Sequence, residues 1–428
     1  MTTPAASPAP RAGSVRATPV RQGIARHGRL PVTTVAASIG KFAGLTALVL
    51  ALSGLILGGI AYVKLFAGID RIPDDPDAAP IAAIQDQPGG INILLVGSDD
   101  RAGQGEEFGE GSEEADGRLN DVNMVIHLAQ DLSHAEVVSI PRDTIIDAPA
   151  CSNDQGVEMA AQEAVPVNSV LEDGGMSCVT KTIESITGLD IHYSAMVKFR
   201  GVIAMSNAVG GVPVCVQDPI EDEYVGLFLQ PGEHYLQGED ALKFLRSRHG
   251  TGDGSDLARI SNQQVFLSSL IRTIKSSDTL TDPTKLYGLA YAVTQNMALS
   301  DSLNNIPTLV SMASAVAKIP TERISFISLP VAESYDWAGK VEPLQPDAEA
   351  LWTMLREDRS IAEEVPADPA PTTATAPDAG ADGGEAPAEE APAETEAPAG
   401  EPTPSPTFSG GSVEHLNADQ VTCANSSG

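Results

Sequence analysis

The stretch that decides the fold is INILLVGSDDR at residues 91–101, a mostly apolar run that ends in glycine, serine and charged residues. Such a run, bounded by glycine, predicts a buried strand that delivers a loop at its carboxyl end. Residues 122–128 and 136–140 predict two more strands, and the second ends at Pro141. Ligands of open α/β sheets bind beyond the carboxyl ends of strands, so the polar residues that follow these runs are candidates for a site.

Strand and helix patterns alternate through the rest of the domain. We expect strands at residues 192–197, 212–216 and 324–329, and helices at 178–187, 199–209, 238–245, 261–274 and, two or three of them, within 284–318. Residues 145–177 read as loop-rich. The alternation predicts an α/β fold, an α-β-α sandwich with a central mixed sheet.

An uncharged run at residues 42–63 precedes this domain. As a helix it would span about 33 Å, enough to cross the hydrocarbon core of a bilayer. Basic residues flank its N-terminal side and aspartates its C-terminal side, which predicts a retained membrane anchor with the N-terminus in the cytoplasm and the domain outside the membrane. The alternative is a buried core helix.

Composition divides the chain into six parts. We expect a disordered basic segment at 1–41, the transmembrane helix at 42–66, a spacer at 67–87, the folded domain at 88–358, a disordered Pro/Ala/Glu linker at 359–411 and a short tail at 412–428 that contains Cys423. The net charge of −32 argues against general nucleic-acid binding, which needs a basic surface.

Four cysteines, all on the predicted exterior side, lack the C-x-x-C spacing of a zinc site. In an oxidising compartment they predict disulfides. Four cysteines allow three pairings, of which Cys151–Cys178 with Cys215–Cys423 is the most economical, because it closes a polar loop and fixes the tail. Free buried thiols are the alternative.

Arginines and carboxylates gather in three places in a chain with 26 Lys+Arg against 58 Asp+Glu. The places are GSDDR at 97–101, SIPRDT at 139–144, and RSRH at 246–249 with the residues up to 264. Guanidinium groups bind phosphate oxygens in pairs, and carboxylates beside them are typical ligands of a divalent cation. The pattern predicts phosphoryl chemistry. Asp99, Arg101, Arg142 and Asp143 follow predicted strands and are expected to meet at one side of the sheet.

The third cluster is the most specific. Arg246 and Arg248 point the same way if the backbone between them is extended. Asp256 and Arg259 open the following helix, whose N-terminal end favours an anion, and Arg259 and Gln263 share one face of that helix. The alternative is a structural salt-bridge network around the helix start.

On these residues the chain resembles the LytR-CpsA-Psr family of membrane-anchored cell-wall enzymes. The matching stretches are residues 92–101, Asn120-Asp121-Val122 at the family's R-S-D-T position, VSIPRDT at 138–144, VGGV at 209–212, residues 236–242, and the R-x-R-H…D-x-x-R…Q-Q block at 246–264. The resemblance is strong over residues 88–275 and looser over 276–330.

The resemblance implies a phosphotransferase that moves a glycopolymer from a polyprenyl-pyrophosphate carrier onto peptidoglycan, forming a phosphodiester. It implies that Asp99 and Asp121 bind Mg²⁺ (or Mn²⁺) and that Gln263 supports the arginines. The phosphate-binding residues would be Arg101, Arg118, Arg142, Arg246, Arg248 and Arg259, and the catalytic ones Arg142, Arg246, Arg248, Arg259 and Asp121. The lipid tail needs an apolar groove, and either Asp121 or Asp143 would deprotonate the acceptor hydroxyl.

One position departs from the family pattern, which has arginine two residues before the motif aspartate. Leu119 stands there, and Arg118 precedes it. Three consequences are compatible with this departure: Arg118 occupies the place of the family's arginine in the fold, Arg101 takes over its role, or the activity is weaker. Two alternatives therefore stay open: a non-catalytic or regulatory polyprenyl-phosphate-binding wall protein, and a slow polyprenyl pyrophosphatase.

Three histidines invite a metal interpretation. No pair among His127, His192 and His249 has a spacing such as H-x-x-x-H, so structural or hydrogen-bonding roles are favoured. Tyr193 and Phe199 are predicted core residues.

Overall fold

A computed structural model describes residues 35–66, 69–74, 81, 83–99, 118–248, 256–276, 279, 282–361 and 415–424. Of the segments predicted to be disordered, 1–41 and 359–411, the parts 1–34 and 362–411 lie outside these residues, as do Arg101 and His249, whereas residues 35–41 are helical. The first helix, α1 (Val35–Phe66), contains a stretch from Ser38 to Lys64 with a mean hydropathy of 2.1 and no buried side chains. By length and composition this stretch is able to cross a bilayer.

Seven more described helices and nineteen strands follow α1. The helices are α2 (Val170–Thr187), α3 (Phe199–Val209), α4 (Glu239–Arg246), α5 (Asp256–Lys275), α6 (Pro283–Asn296), α7 (Ile306–Lys318) and α8 (Asp347–Arg356). The strands are β1 (Asp70–Ile72), β2 (Ile91–Ser98), β3 (Asn120–Leu128), β4 (Ala135–Ile140), β5 (Ile145–Ala148), β6 (Cys151–Ser152), β7 (Glu158–Met159), β8 (Gln162–Pro166), β9 (Tyr193–Val197), β10 (Val212–Val216), β11 (Ile220–Asp222), β12 (Leu227–Leu229), β13 (Gly232–Leu236), β14 (Met297–Ser300), β15 (Ile324–Ser328), β16 (Val331–Glu333), β17 (Val341–Pro343), β18 (His415–Asn417) and β19 (Cys423–Ala424).

The central sheet is mixed and has eight strands in the order β1-β14-β9-β2-β3-β4-β15-β18. Its middle strand β3 runs antiparallel to both β2 and β4. Consequently β2 and β4 finish at the same end of the sheet, and β3 begins there. This end, which we call the site end, brings together the residues that follow β2 and β4 with those that open β3.

Two apolar cores cover the two faces of this sheet. Successive residues of a strand point to opposite faces, so Val137 of β4 joins one core and Val138 the other. The first core packs the sheet against α4 and α5 through Phe244 and Phe266. The second packs it against α2 and α8 through side chains such as Trp352. The predicted α-β-α sandwich is confirmed.

Local differences from the predicted elements have identifiable causes. Helix α2 begins at Val170 rather than residue 178, and a non-helical Gly175 with φ of +65° kinks it. The residues before 178 were predicted to be loop-rich, but Asp154 accepts hydrogen bonds from the backbone N–H groups of Met176 and Ser177 and so allows the helix to continue after the kink. The four-residue strand β14, inside the region predicted as helical, was missed. Short strands β5 to β8 also lie in the predicted loop-rich region.

The end of the chain returns to the domain. Strand β18 pairs with β15 in the central sheet, and β19 pairs with β10. Disulfides join Cys151 to Cys178 and Cys215 to Cys423, which is the pairing that the sequence favoured. Arg272 donates to the carbonyl oxygens of Ala418 and Gln420 at 2.6 and 2.8 Å. The tail is therefore an integral part of the fold.

Candidate active site

A cavity of about 370 Å³ opens between the sheet and the helices α3, α4 and α5. Its walls are mainly apolar and include Leu95, Met124, Val202 and Leu270. Such walls suit a hydrocarbon ligand, because burial of apolar surface stabilises by about 25 cal/mol per Å². An apolar groove of the kind that a lipid tail would need therefore lies between the sheet and these helices.

The polar part of the cavity wall includes five residues that the sequence singled out, beside others such as Lys198 and Tyr224 that it did not. The five are Asp121, Arg246, Arg248, Arg259 and Gln263. Arg259 and Gln263 do share one face of α5, and the Gln263 amide donates to the carbonyl oxygen of Leu245 at 3.3 Å. This contact ties α5 to α4 beside the arginines.

A buried carboxylate sets the backbone between Arg246 and Arg248. Arg246 ends α4, and Ser247 is extended with φ of −63° and ψ of 133°. Asp222 accepts from the Ser247 hydroxyl at 2.9 Å and from the Arg248 backbone N–H at 3.0 Å. The extended backbone that the two-residue spacing required is therefore held by Asp222, a residue that the sequence analysis missed.

The guanidinium of Arg246 lies over the ring of Phe199, 4.4 Å from its centroid. Phe199 is buried, as predicted for a core residue, and it also lines the cavity. A cation over an aromatic face is attracted by the ring quadrupole. Phe199 thus orients the arginine as well as filling space. Tyr193 is buried in the core, as predicted.

Two arginines and two aspartates form a compact network at the site end. Arg142 Nη1 lies 2.5 Å from Asp121 Oδ1, and Arg259 Nη2 lies 2.6 Å from Asp256 Oδ1. Arg259 also donates to the Asp121 carbonyl oxygen at 2.7 Å, and the Arg142 backbone N–H donates to Asp256 Oδ2 at 3.2 Å. Residues from β3, α5 and the loop after β4 are therefore locked together.

In this network burial and the neighbouring charges shift the pKa values of the side chains in opposite directions. Burial raises the pKa of Asp256, although Arg259 and Arg142 oppose the rise. Burial lowers the pKa of Arg259, and Asp256 and Asp121 counter it. For Arg142 burial alone would lower the pKa, but the neighbouring aspartates, Asp121 foremost, raise it overall. Charged pairs out of water need such partners.

The network still has hydrogen-bonding capacity for an anion. The Nε atom of Arg259 is buried and has no hydrogen-bond partner among the described residues, whereas Arg142 Nε lies 3.5 Å from Asp143 and 3.6 Å from Asp256. Buried donors are normally satisfied, so the unsatisfied guanidinium donor of Arg259, which lines the cavity, fits an anionic ligand at this point. Asp256, noticed in the sequence only as part of the helix start, is the carboxylate that joins these two arginines.

The predicted metal-binding carboxylates stand on neighbouring strand ends. Asp99 directly follows β2, and its Oδ1 accepts the Leu119 backbone N–H at 3.0 Å. Asp121 is the second residue of β3 and lines the cavity. Carboxylate oxygens at one end of the sheet are donors of the kind that Mg²⁺ prefers, so the residues present fit this ion.

Two further predicted site residues, Arg118 and Asp143, are not part of the cavity wall that the described residues form. Arg118 is described and partly buried. Asp143 lies 2.5 Å from Lys340 and 3.5 Å from Arg142. Lys340, between β16 and β17, has no local sequence signal, because its partner is 197 residues away.

Known proteins resemble this chain along most of its length. The model of the LytR_cpsA_psr family matches residues 72–357. The cell wall biosynthesis protein LcpA of Corynebacterium glutamicum is 31% identical over 353 residues, which are 75% of this chain and 65% of LcpA. The chain thus spans slightly less than two thirds of that relative.

A transferase and a solved structure extend the comparison. The polyisoprenyl-teichoic acid–peptidoglycan teichoic acid transferase TagT of Bacillus subtilis is 25% identical over 284 residues, 64% of this chain and 81% of TagT. A LytR-Csp2A-Psr enzyme from Actinomyces oris superposes with a TM-score of 0.50 at 20% identity, covering 67% of this chain and 96% of that one. The structural likeness supports the fold.

Proposed function

The chain belongs to the LytR-CpsA-Psr family, and from this premise we propose that it transfers a glycopolymer from a polyprenyl-pyrophosphate carrier onto peptidoglycan. The observation that carries the proposal is an apolar cavity whose polar wall holds three arginines. The apolar walls suit the lipid tail, and the guanidinium groups suit the pyrophosphate. The similarity to LcpA and to TagT, whose name states this reaction for teichoic acid, supports it.

The reaction needs placement and charge neutralisation more than covalent catalysis. The oxygen of an acceptor hydroxyl attacks the phosphorus that bears the sugar, and a phosphodiester forms. The bond from that phosphorus to the bridging oxygen breaks, and polyprenyl phosphate leaves with the bridging oxygen. Arg246, Arg248 and Arg259 bind the phosphate oxygens and stabilise the charge that develops.

The proton of the acceptor hydroxyl goes to a carboxylate. Both candidate carboxylates are ion-paired at 2.5 Å, Asp121 with Arg142 and Asp143 with Lys340, but of the two only Asp121 is part of the cavity wall that the described residues form. We therefore prefer Asp121 as the base, with Arg142 fixing its orientation at 2.5 Å. Asp99 and Asp121 would hold Mg²⁺, which when bound would neutralise charge on the pyrophosphate.

In this proposal the membrane-spanning stretch determines where in the cell the reaction takes place. The chain is a single-pass membrane protein in this proposal, with α1 as its anchor. The five arginines and one lysine of residues 1–41 put the N-terminus in the cytoplasm and the domain outside. A domain tethered at the membrane surface reaches a lipid carrier whose tail remains partly in the bilayer.

The test uses the full-length chain in detergent with a polyprenyl-pyrophosphate-linked oligosaccharide and a peptidoglycan fragment. Mass spectrometry follows polyprenyl phosphate and the sugar–phosphate–peptidoglycan product, with and without Mg²⁺. The variant Arg246→Ala should lose both products, whereas Arg71→Ala, a surface arginine paired with Asp301, should keep them.

Three outcomes separate the alternatives. Product formation that depends on Arg246 supports the transferase. Release of polyprenyl phosphate without attachment to the acceptor would point to the pyrophosphatase. Tight lipid binding with neither product would point to the binding protein, and Leu119→Arg would then be the first variant to make.

A further inference from the structure

Two histidines and an aspartate converge at the far end of the sheet, opposite the site end. His127 is the penultimate residue of β3, His134 directly precedes β4, and Asp358 follows α8. One potential ligand atom from each lies within 4.8 Å of the other two. His127 lies six residues beyond Asp121 along β3, so the cluster is about 20 Å from the candidate active site.

The hydrogen bonds of the Asn92 side chain indicate which ring nitrogen of His127 carries a proton. The Asn92 side-chain amide N–H donates to the Asp190 carbonyl oxygen at 2.9 Å, which leaves its amide oxygen facing His127 Nδ1 at 2.8 Å. The reverse orientation of the amide would set two acceptor oxygens 2.9 Å apart. His127 Nδ1 therefore carries a proton and donates it to Asn92.

The other ring nitrogen then meets a carboxylate. His127 Nε2 lies 2.9 Å from Asp358 Oδ1, and the His127 side chain is wholly buried. In a neutral imidazole with its proton on Nδ1, Nε2 is an acceptor, and two acceptors at this distance repel. A cation must lie between them, either a second proton or a metal ion.

The surrounding hydrogen bonds favour the metal ion. Each of the three side chains has an outer partner that orients it: Asn92 for His127, the Ser133 hydroxyl 2.9 Å from His134 Nδ1, and the Gln130 backbone N–H at 3.2 Å from Asp358 Oδ2. Metal-binding histidines and carboxylates are typically held by such outer contacts. A proton alone would also place a buried imidazolium beside a second imidazole, with ring centroids 6.1 Å apart.

We propose that His127, His134 and Asp358 bind a zinc ion, which fastens the end of α8 to the strand pair β3–β4. Two imidazole nitrogens and one carboxylate oxygen are a ligand set that zinc accepts in tetrahedral geometry, with water in the fourth position. Its place at the far end of the sheet separates it from the candidate active site. It is independent of the proposed transferase and of any Mg²⁺ at Asp99 and Asp121.

The three proposed ligands are spaced so far apart in the sequence that no local motif indicates the site. His127 and His134 are seven residues apart on either side of a strand connection, and Asp358 is 231 residues from His127. His127 and His192 do form the hydrogen bonds that were expected of them, but the convergence of His127 with His134 and Asp358 exists only in the folded chain.

The experiment uses the full-length chain without a histidine tag, in detergent, stripped of metal with a chelator and kept in excess Mg²⁺. Cobalt(II) is titrated in, followed by zinc. We expect one equivalent of cobalt to produce the visible absorption of a tetrahedral site, zinc to abolish it, and zinc to raise the melting temperature.

Variants make the result specific. His134→Gln removes one ligand and leaves the His127–Asp358 contact in place, so the chain has the contacts to fold. Metal affinity should fall at least tenfold, because altering even the outer contacts of a metal site costs about 10–100-fold. His234→Gln changes a partly buried histidine 2.6 Å from the Gln230 carbonyl oxygen, outside the cluster; it is the control and should titrate like the unaltered chain. No cobalt spectrum and no zinc-dependent stabilisation in the unaltered chain, or the same titration in His134→Gln, would overturn the proposal and leave a buried His127–Asp358 ion pair.

Discussion

The same two strands, β2 and β3, deliver opposite chemistry to the two ends of the sheet. At the site end, Arg259, paired with Asp256, presents a buried N–H donor that has no partner among the described residues. At the far end, His127 Nε2 lies 2.9 Å from the Asp358 carboxylate. The first arrangement suits an anion, and in our proposal the second binds a cation. The contrast shows that the unsatisfied donors or acceptors of buried polar groups at strand ends indicate the charge of the ligand. Four substitutions test this.

The largest effect should come from Arg259→Ala. Arg259 lines the cavity and joins Asp256 to the Asp121 backbone, so its removal takes away a phosphate donor and leaves the buried Asp256 with one cationic partner fewer. We expect kcat to fall about 100- to 1,000-fold, the range for loss of one donor to developing charge. Steady-state kinetics of polyprenyl phosphate release measures it. An activity within threefold of the unaltered chain would remove Arg259 from the site.

A pH effect should come next, from Glu136 at the far end. This residue of β4 is opposite His127 in the strand register and fully buried, and burial raises the pKa of its carboxyl from 4.5 to about 8. The folded chain thus keeps a proton that the unfolded chain releases above pH 4.5. The free energy of unfolding should therefore fall as pH rises from about 4.5 to about 8, by about 1.4 kcal/mol per pH unit at most.

The variant Glu136→Gln should remove this fall, because glutamine has no proton to lose. Urea denaturation of both chains at pH 5 and pH 8 gives the comparison. The variant should gain stability relative to the unaltered chain at pH 8 but not at pH 5. Parallel pH profiles for the two chains would contradict a protonated Glu136.

Asp222→Asn should have a smaller effect on catalysis. The carboxylate accepts from the Arg248 backbone and the Ser247 hydroxyl, and hydrogen bonds to a charged group contribute about 1.5–3 kcal/mol. We expect kcat/KM to fall roughly tenfold or more as Arg248 loses its position. Asp147→Asn, an exposed aspartate that accepts only at the surface from the Ala164 N–H, is the control. Equal activity in the two variants would assign Asp222 to folding alone.

The smallest effect should come from Phe199→Leu, which removes the ring beneath Arg246. A cation over an aromatic face contributes about 0.5–1 kcal/mol at partly exposed sites, so lipid pyrophosphate should bind about two- to fivefold more weakly. Phe266→Leu alters the same cavity without an arginine stacked on the changed ring in the described structure. Calorimetric titration should show the larger loss for Phe199→Leu; the reverse order would make apolar area the determinant.

Local sequence patterns correctly predicted the structural features that depend on residues close together in the chain. The apolar run before Gly97 gave β2, and Gly210 and Gly211 marked the end of α3, where Gly210 has φ of +86°. The rule that strand ends carry sites placed Arg142 and Asp143 together, and they lie 3.5 Å apart, but it did not predict the contact of Arg142 with Asp121. Each of these inferences needs only a strand direction or a residue spacing.

Contacts between distant parts of the chain were not predictable in this way. Lys340 meets Asp143 across 197 residues, and Asp222 meets Arg248 from a strand whose sequence gives no sign of it. Strand β14 is four residues between two helices, too short for a periodic pattern. Such features depend on how elements pack, which a single sequence does not encode locally.

The return of the tail closes the chain into a covalent ring. Because Cys423 is bonded to Cys215, every residue between them belongs to a loop joined at both ends, including the part from 362 to 414. A single cut by a protease in that part would open the ring without releasing either piece. The cleaved protein would run as one species until reduced, and β18 and β19 would stay paired with the domain.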